Sequence, residues 1–145
     1  HIQRIVDLIK EEAASSGNRK LAFLGLTFKA GTDDVRDSPA MAVLVALLKS
    51  FNVIECYDPM ARTDLPTPAK RVDSMSDALR DADVLAVLTE WPEFMSLEPQ
   101  KCRSLMRGRV IVDGRYILDP KKFGVVGVTV RSVGRPFIST EASLT

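Results

Sequence analysis

Two cations and three carboxylates lie in one short stretch between an apolar run and an apolar helix. The apolar run covers residues 21–26, the cations are Lys29 and Arg36, and Ser38 and Pro39 open the helix. A buried strand that leads through a charged loop to a helix N-terminus is a geometry with which α/β proteins hold phosphates, because backbone N–H groups point at the ligand there. Lys29 offers a compact charge and Arg36 a bidentate fork, and both suit a diphosphate.

The loop also has a purely structural interpretation, in which its carboxylates neutralise its own cations. Asp34 and Asp37 lie just before the helix, where a carboxylate stabilises the helix dipole, and either could hold Arg36 or Lys29 in place. Phe28 directly follows the apolar run, so a place in the core is its alternative role. The residue pattern by itself leaves both interpretations of the loop open.

Two further apolar runs end in conspicuous polar groups, at residues 89–91 (Thr-Glu-Trp) and 113–115 (Asp-Gly-Arg). In an open parallel sheet, ligands bind outside the carboxyl ends of the strands, so these groups and the Lys29 loop are predicted to share one edge. The glycine allows a sharp turn that would swing Arg115 over that edge, with an ordinary surface arginine as the alternative. Glu90 and Trp91 could contact a ligand, although a tryptophan more often packs under a loop.

The charged loop is not a dinucleotide fingerprint. After Gly25 the next glycine is Gly31, so the G-x-G-x-x-G spacing fails and a stand-alone NAD-binding domain is disfavoured. Asp58 stands where a dinucleotide-binding sheet carries its ribose-binding acid. Without the fingerprint, the predicted role of Asp58 is in a turn or a cap.

Composition argues against several function classes. The net charge is +1 over 145 residues and no basic run occurs, so neither a nucleic-acid nor a membrane surface is indicated. No apolar stretch reaches the roughly 18 residues of a membrane span and no signal peptide is visible, which predicts a cytoplasmic protein. The one histidine is His1, so neither a zinc site nor a histidine base is expected. Cys56 and Cys102 are predicted to be free buried thiols, with a disulfide as the alternative.

Strands alternate with helices along the chain. Periodicity predicts a helix over 2–14, and Ser38 as N-cap before Pro39 predicts a helix over 39–49 that is buried on several sides. Apolar runs predict strands at 20–26, 53–57, 84–88, 110–112 and 125–133, an edge strand at 71–73, and helices at 76–80, capped by Ser76, and 96–106. No strand alternates as a half-exposed sheet would, so the pattern predicts an α/β domain with a doubly wound, mostly parallel sheet and helices on both faces.

One long signature resembles the opening of the C-terminal, UDP-binding domain of the UDP-glucose/GDP-mannose dehydrogenase family: Phe28-Lys29-x-x-Thr32-x-Asp34-x-Arg36-x-Ser38-Pro39. Further matches follow in the family's order: Tyr57-Asp58-Pro59, Ala82-Asp83, Thr89-Glu90-Trp91, Val112-Asp113-Gly114-Arg115 and Val133-Gly134-Arg135. The resemblance implies a Rossmann-like domain at 19–137, the end of an interdomain helix at 1–18 and a tail at 138–145.

The resemblance also implies roles for individual residues. Phe28, Lys29 and Arg115 would contact a UDP-sugar substrate, and Arg36 would reach an NAD cofactor across a cleft. The enzymes of the family that this chain resembles oxidise the sugar C6 alcohol to a carboxylate in two NAD-dependent steps, through a thioester on a cysteine. That cysteine and most of the NAD site belong to an N-terminal domain, which is expected to be the partner of this chain. No catalytic residue is therefore expected here, and the chain alone is expected to be inactive.

The substrate and the assembly have alternatives. Residues 32–38 look most like those of UDP-glucose 6-dehydrogenases, while GDP-mannose and UDP-N-acetylmannosamine dehydrogenases are also compatible. A stand-alone nucleotide-binding or interaction module is the alternative of a different class. The helix at 2–14 and the apolar run at 40–48 suggest a homodimer.

Overall fold

The computed structural model describes residues 1–17 and 19–134, and six parallel strands form its one sheet. The strands are β1 Lys20–Leu24, β2 Val53–Tyr57, β3 Ala69–Arg71, β4 Val84–Val87, β5 Val110–Asp113 and β6 Thr129–Arg131. Their spatial order is β3-β2-β1-β4-β5-β6, and every neighbouring pair is parallel. From β1 the chain adds strands on one side as far as β3, and from β4 onward it adds them on the other side. The strand order therefore switches between β1 and β4, which is the position where doubly wound sheets bind ligands. The predicted fold class is confirmed.

Helices cover both faces of the sheet, because side chains of each strand point alternately to two separate cores. Leu21 and Phe23 of β1 belong to a first core, and Ala22 and Leu24 belong to a second. Helices α1 Ile2–Ser16 and α2 Pro39–Leu47 pack on the first core. The second core is covered by α3 Met75–Leu79, α4 Pro92–Met95, α5 Pro99–Leu105 and α6 Pro120–Val125.

The start of α2 is fixed by its N-cap, as the sequence predicts. The Ser38 hydroxyl accepts the N–H of Met41 at 3.3 Å and donates to the Leu26 carbonyl at 2.8 Å. The cap therefore ties the helix to the end of β1 as well as completing its first turn. The apolar helix α2 is not buried on all of its sides, since Leu44 is buried while Val45 is 55% exposed.

Several predicted boundaries are wrong for local reasons. Helix α3 follows Ser74, not Ser76, because the Ser74 hydroxyl accepts the N–H of Asp77 at 3.0 Å. The sequence analysis missed helix α6, whose last residue, Val125, was predicted as the first residue of the last strand. Its N-cap is Asp119, whose carboxylate accepts the N–H of Lys121 at 3.0 Å. An Asp-Pro pair opens this helix, so the signal was present in the sequence.

The observed bounds of several other elements differ from the predicted ones by a few residues. Helix α1 runs on to Ser16 and ends at Gly17, whose φ of 82° is left-handed. The edge strand β3 lies two residues earlier than predicted, and the helix predicted at 96–106 begins only at Pro99, after the separate short helix α4. Within the described residues, no helix combines the length and the apolar character needed to cross a bilayer. The predicted tail at 138–145 lies outside the described part of the chain.

Candidate functional site

The β1–α2 loop, residues 25–38, forms an open pocket at the carboxyl edge of the sheet. The pocket has a volume of about 380 Å³ and its lining residues are Phe28, Lys29, Thr32, Asp34, Arg36 and Asp37. Phe28 is 51% exposed, so its core interpretation is wrong. The loop folds back on itself, because the Phe28 N–H donates to the Asp34 carbonyl at 3.0 Å and the Thr27 hydroxyl donates to the Lys29 carbonyl at 2.9 Å. Lys29 and Arg36 therefore face one pocket.

Arg36 and Asp34 form a bidentate ion pair inside this loop. Arg36 Nε lies 3.0 Å from Asp34 Oδ1 and Nη2 lies 3.1 Å from Oδ2, while Oδ1 also accepts the Arg36 backbone N–H at 2.9 Å. These hydrogen bonds from Arg36 lower the pKa of the Asp34 carboxyl. The structural interpretation of Asp34, as the residue that holds Arg36, is confirmed. The Arg36 side chain is nonetheless 88% exposed, so its other donors remain accessible.

Asp58, at the end of β2, is part of the framework of the loop. Its Oδ2 accepts the N–H of Leu26 at 2.8 Å, and its Oδ1 accepts those of Met60 and Ala61 at 2.9 and 2.8 Å. The residue is only 1% exposed. The predicted role of Asp58 in a turn is confirmed, and both of its oxygens are engaged.

Arg115 stands on a turn that a second buried carboxylate organises. Asp113, the last residue of β5, accepts the backbone N–H groups of Arg115 at 3.0 Å, Ile117 at 2.9 Å and Leu118 at 2.8 Å. Sequence reasoning did not assign this role to Asp113, although an aspartate before a glycine is a common turn residue. The next residue, Tyr116, has a φ of 58° and donates its hydroxyl to the Val133 carbonyl.

Glu90, which follows β4, contacts both of these loops. Its Oε1 accepts the N–H of Ala30 in the β1–α2 loop at 3.2 Å. Its Oε2 lies 2.5 Å from Nη2 of Arg115. Trp91, by contrast, is largely buried in the second core, so its interpretation as a packing residue is confirmed.

The three predicted cations thus lie on one edge of the sheet but not in one pocket. Arg115 lines a second pocket of about 360 Å³, between the start of α1 and the start of α2, together with apolar residues such as Ile2 and Leu88. Lys29 and Arg36 line the first pocket. The Glu90 carboxylate contacts the loop of the first pocket through Ala30 and the second pocket through Arg115.

The two cysteines of the chain are poorly suited to nucleophilic attack. Cys56 and Cys102 are free and buried, as predicted, and burial raises the pKa of each thiol to about 12. A thiol of that pKa holds almost no thiolate at neutral pH. Among residues 1–17 and 19–134, no group of histidine, cysteine and carboxylate side chains is arranged to hold a metal ion.

Comparison with known proteins identifies the family of the chain. Residues 22–120 match the family model described as the UDP-glucose/GDP-mannose dehydrogenase family, UDP binding domain. Curated relatives include UDP-glucose 6-dehydrogenase TuaD of Bacillus subtilis, 33% identical over 144 residues, which are 96% of this chain and 31% of TuaD. UDP-glucose 6-dehydrogenase AglM of Haloferax volcanii is 39% identical over 119 residues, which are 80% of this chain and 27% of AglM.

The chain is also similar in structure to a solved dehydrogenase. The chain superposes on a UDP-D-ManNAc dehydrogenase from Pyrococcus horikoshii with a TM-score of 0.75 at 28% identity, over 92% of this chain and 31% of that one. The chain thus spans less than a third of the length of these relatives. With its fold and its match over residues 22–120 in agreement, the chain belongs to the UDP-glucose/GDP-mannose dehydrogenase family and represents the UDP-binding domain of that family.

Proposed function

We propose that this domain holds the diphosphate of a nucleotide-sugar, UDP-glucose, for an NAD-dependent 6-dehydrogenase. The curated relatives that it matches are named UDP-glucose 6-dehydrogenases. The observation that carries the proposal is the state of Lys29, an exposed cation in the pocket at the end of β1. Among residues 1–17 and 19–134, Lys29 makes no ion pair with a carboxylate, whereas Arg36 and Arg115 each do. A cation without an ion pair at a switch point suits a phosphate ligand, even with the Asp37 carboxylate lining the same pocket.

The other proposed contacts surround that cation. Phe28 presents an exposed ring beside Lys29 and would pack on the nucleotide-sugar. Arg115 would contribute a guanidinium from the neighbouring pocket to the same substrate. Arg36 lies on the solvent side of the first pocket, and we assign it to the cofactor.

This domain does not fit NAD as a complete dinucleotide site. The β1–α2 loop lacks the glycine spacing that lets a pyrophosphate approach the backbone. Asp58, at the position of the ribose-binding acid, is buried and has both oxygens engaged by backbone N–H groups. We therefore propose that another domain of the same protein holds most of the cofactor and supplies the catalytic cysteine. The cytoplasmic location and the homodimer stay predictions.

Calorimetric titration of the 145-residue chain with UDP, GDP and NAD tests the proposal. We expect UDP to bind weakly, because part of the site is supplied elsewhere. Lys29→Ala should weaken UDP binding about tenfold, the order of magnitude of one charge-assisted contact. Lys101→Ala, on α5 at the other face of the sheet, is the control that should leave binding unchanged. UDP binding that is indifferent to both Lys29→Ala and Arg115→Ala would contradict the proposed site.

Two further readouts separate the alternatives. A preference for GDP over UDP would favour a GDP-mannose dehydrogenase, and the likeness to the Pyrococcus horikoshii enzyme makes a UDP-N-acetylmannosamine dehydrogenase the second candidate. We also expect the isolated chain not to reduce NAD in the presence of UDP-glucose. NADH formation, followed by absorbance, would show that the chain has a catalytic site that we do not assign to it.

A further inference from the structure

We propose that Glu90 is a positioning residue that joins Arg115 and the β1–α2 loop into one anion-binding unit. The inference rests on the proposed function, because it deepens the same site. It concerns a residue that makes no direct substrate contact in the proposed function. The structure places its carboxylate between the two loops that carry the proposed phosphate contacts.

The two oxygens of Glu90 have separate tasks. Oε1 accepts the backbone N–H of Ala30, the residue after Lys29, at 3.2 Å. Oε2 is shielded from solvent and lies 2.5 Å from Nη2 of Arg115, as an ion pair rather than a linear hydrogen bond. One carboxylate thereby fixes the backbone beside Lys29 and the guanidinium of Arg115 at the same time.

Within the described residues, no other side chain performs this joining task. Asp113 accepts the backbone N–H of Arg115 but makes no contact with its guanidinium. A long arginine side chain has many rotamers, so an orienting partner is needed if the fork is to be in place before a ligand arrives. Glu90 is itself held by its chain neighbour Trp91, which is buried in the second core. Glu90 thus gives Arg115 a defined direction while the other guanidinium donors stay available.

A carboxylate at this place also has an opposing electrostatic effect. A negative charge next to a diphosphate repels it, so Glu90 could instead compete with the ligand for Arg115. The two effects predict opposite signs for removal of the charge. Because the Arg115 charge largely neutralises Glu90 at 2.5 Å, we infer that orientation prevails.

Glu90→Gln is the decisive variant, because glutamine keeps a carbonyl oxygen for the Ala30 N–H and loses the ion pair. Titration of the chain with UDP and with inorganic pyrophosphate should show binding weakened about tenfold. Arg115→Ala should weaken binding at least as much, and the double variant should bind no more weakly than Arg115→Ala alone. Such non-additivity is expected of one coupled unit. Glu93→Gln removes the same charge three residues away, where the carboxylate contacts the Tyr57 hydroxyl, and should leave binding unchanged.

A measurement without ligand separates this inference from the proposed function. ¹⁵N relaxation should report an ordered Arg115 Nε–H in the parent chain and a mobile one in Glu90→Gln, with the Ala30 amide unchanged. If UDP does not bind the parent chain, the proposed function fails, while the relaxation data still decide the role of Glu90. The inference is overturned if Arg115 keeps its order in Glu90→Gln. It is equally overturned if Glu90→Gln binds UDP as tightly as the parent chain or more tightly, or if the two substitutions are additive.

Discussion

Replacing Asp58 by alanine is expected to be among the most damaging single changes in this domain. The carboxylate accepts three backbone N–H groups, from Leu26, Met60 and Ala61, at 2.8–2.9 Å, and it is 1% exposed. A hydrogen bond to a charged group contributes about 1.5–3 kcal/mol, and a buried donor left without a partner costs about 1–3 kcal/mol. Water entering the vacated space would satisfy part of the lost bonds. We therefore expect a loss of about 4 kcal/mol, a large share of the roughly 5–15 kcal/mol by which a domain is stable.

Asp58→Asn is the matched variant, because its geometry spares part of this network. The asparagine oxygen can replace Oδ1 and keep the bonds from Met60 and Ala61, while its amide would face the N–H of Leu26. We expect this variant to lose about 2 kcal/mol, the value of the one hydrogen bond to a charged group that it forfeits. Urea denaturation followed by circular dichroism measures both losses in free energy of unfolding. A loss below about 1 kcal/mol for Asp58→Ala, or equal losses for both variants, would refute this account of Asp58.

Two further predictions concern the framework of the site. Gly25→Ala should cost more than about 2 kcal/mol, because φ is 100° and an added Cβ would lie 2.2 Å from the Thr89 hydroxyl oxygen. Gly31→Ala, with φ 85° and open space, should cost only about 1 kcal/mol in the same denaturation assay, and equal costs would contradict the steric reason. Burial would raise the pKa of Asp83, but the hydrogen bonds from Arg107 at 2.8 Å and from the Lys20 backbone N–H at 2.9 Å, together with the nearby positive charges, lower it overall. Stability from this pair is therefore present above the unfolded-state value of about 3.9 and is lost as the pH falls through the lower folded-state value. Asp83→Asn should accordingly cost about 1–2 kcal/mol at pH 7, and a cost that persists undiminished at pH 2 would contradict the ionic origin.

The sequence allowed the fold and the edge of the sheet to be predicted because both depend on local patterns. Apolar runs without polar alternation identified five of the six strands, and the N-cap Ser38 with Pro39 identified the start of α2. The last strand was found, but its start was predicted too early, because Val125 and its neighbours form an apolar run that periodicity cannot assign to a helix or to a strand. In the structure that run ends α6, and β6 begins only at Thr129.

The links within the site could not be predicted, because they depend on distances between separate strand ends. Which loop Glu90 touches is determined by β4 lying between β1 and β5, and residue types carry no such order. The need for glycine at position 25 likewise arises from the approach of Thr89 across the sheet. The spacing of Lys29 and Arg36 indicated a shared loop, but the second pocket of Arg115 could not be foreseen.

Most carboxylates along this edge of the sheet are engaged within the fold, which lowers the negative charge that an anion would meet there. Asp58 and Asp113 accept backbone N–H groups with their carboxylate oxygens, so these two carboxylates stabilise turns. Asp34 and Glu90 are each paired with an arginine. In the described part of the chain, two charged side chains line the first pocket without an ion pair, those of Lys29 and Asp37. A phosphate at this edge therefore depends on Lys29 and on the accessible donors of the paired arginines, and it would lie away from the exposed Asp37 carboxylate, because the two like charges repel each other.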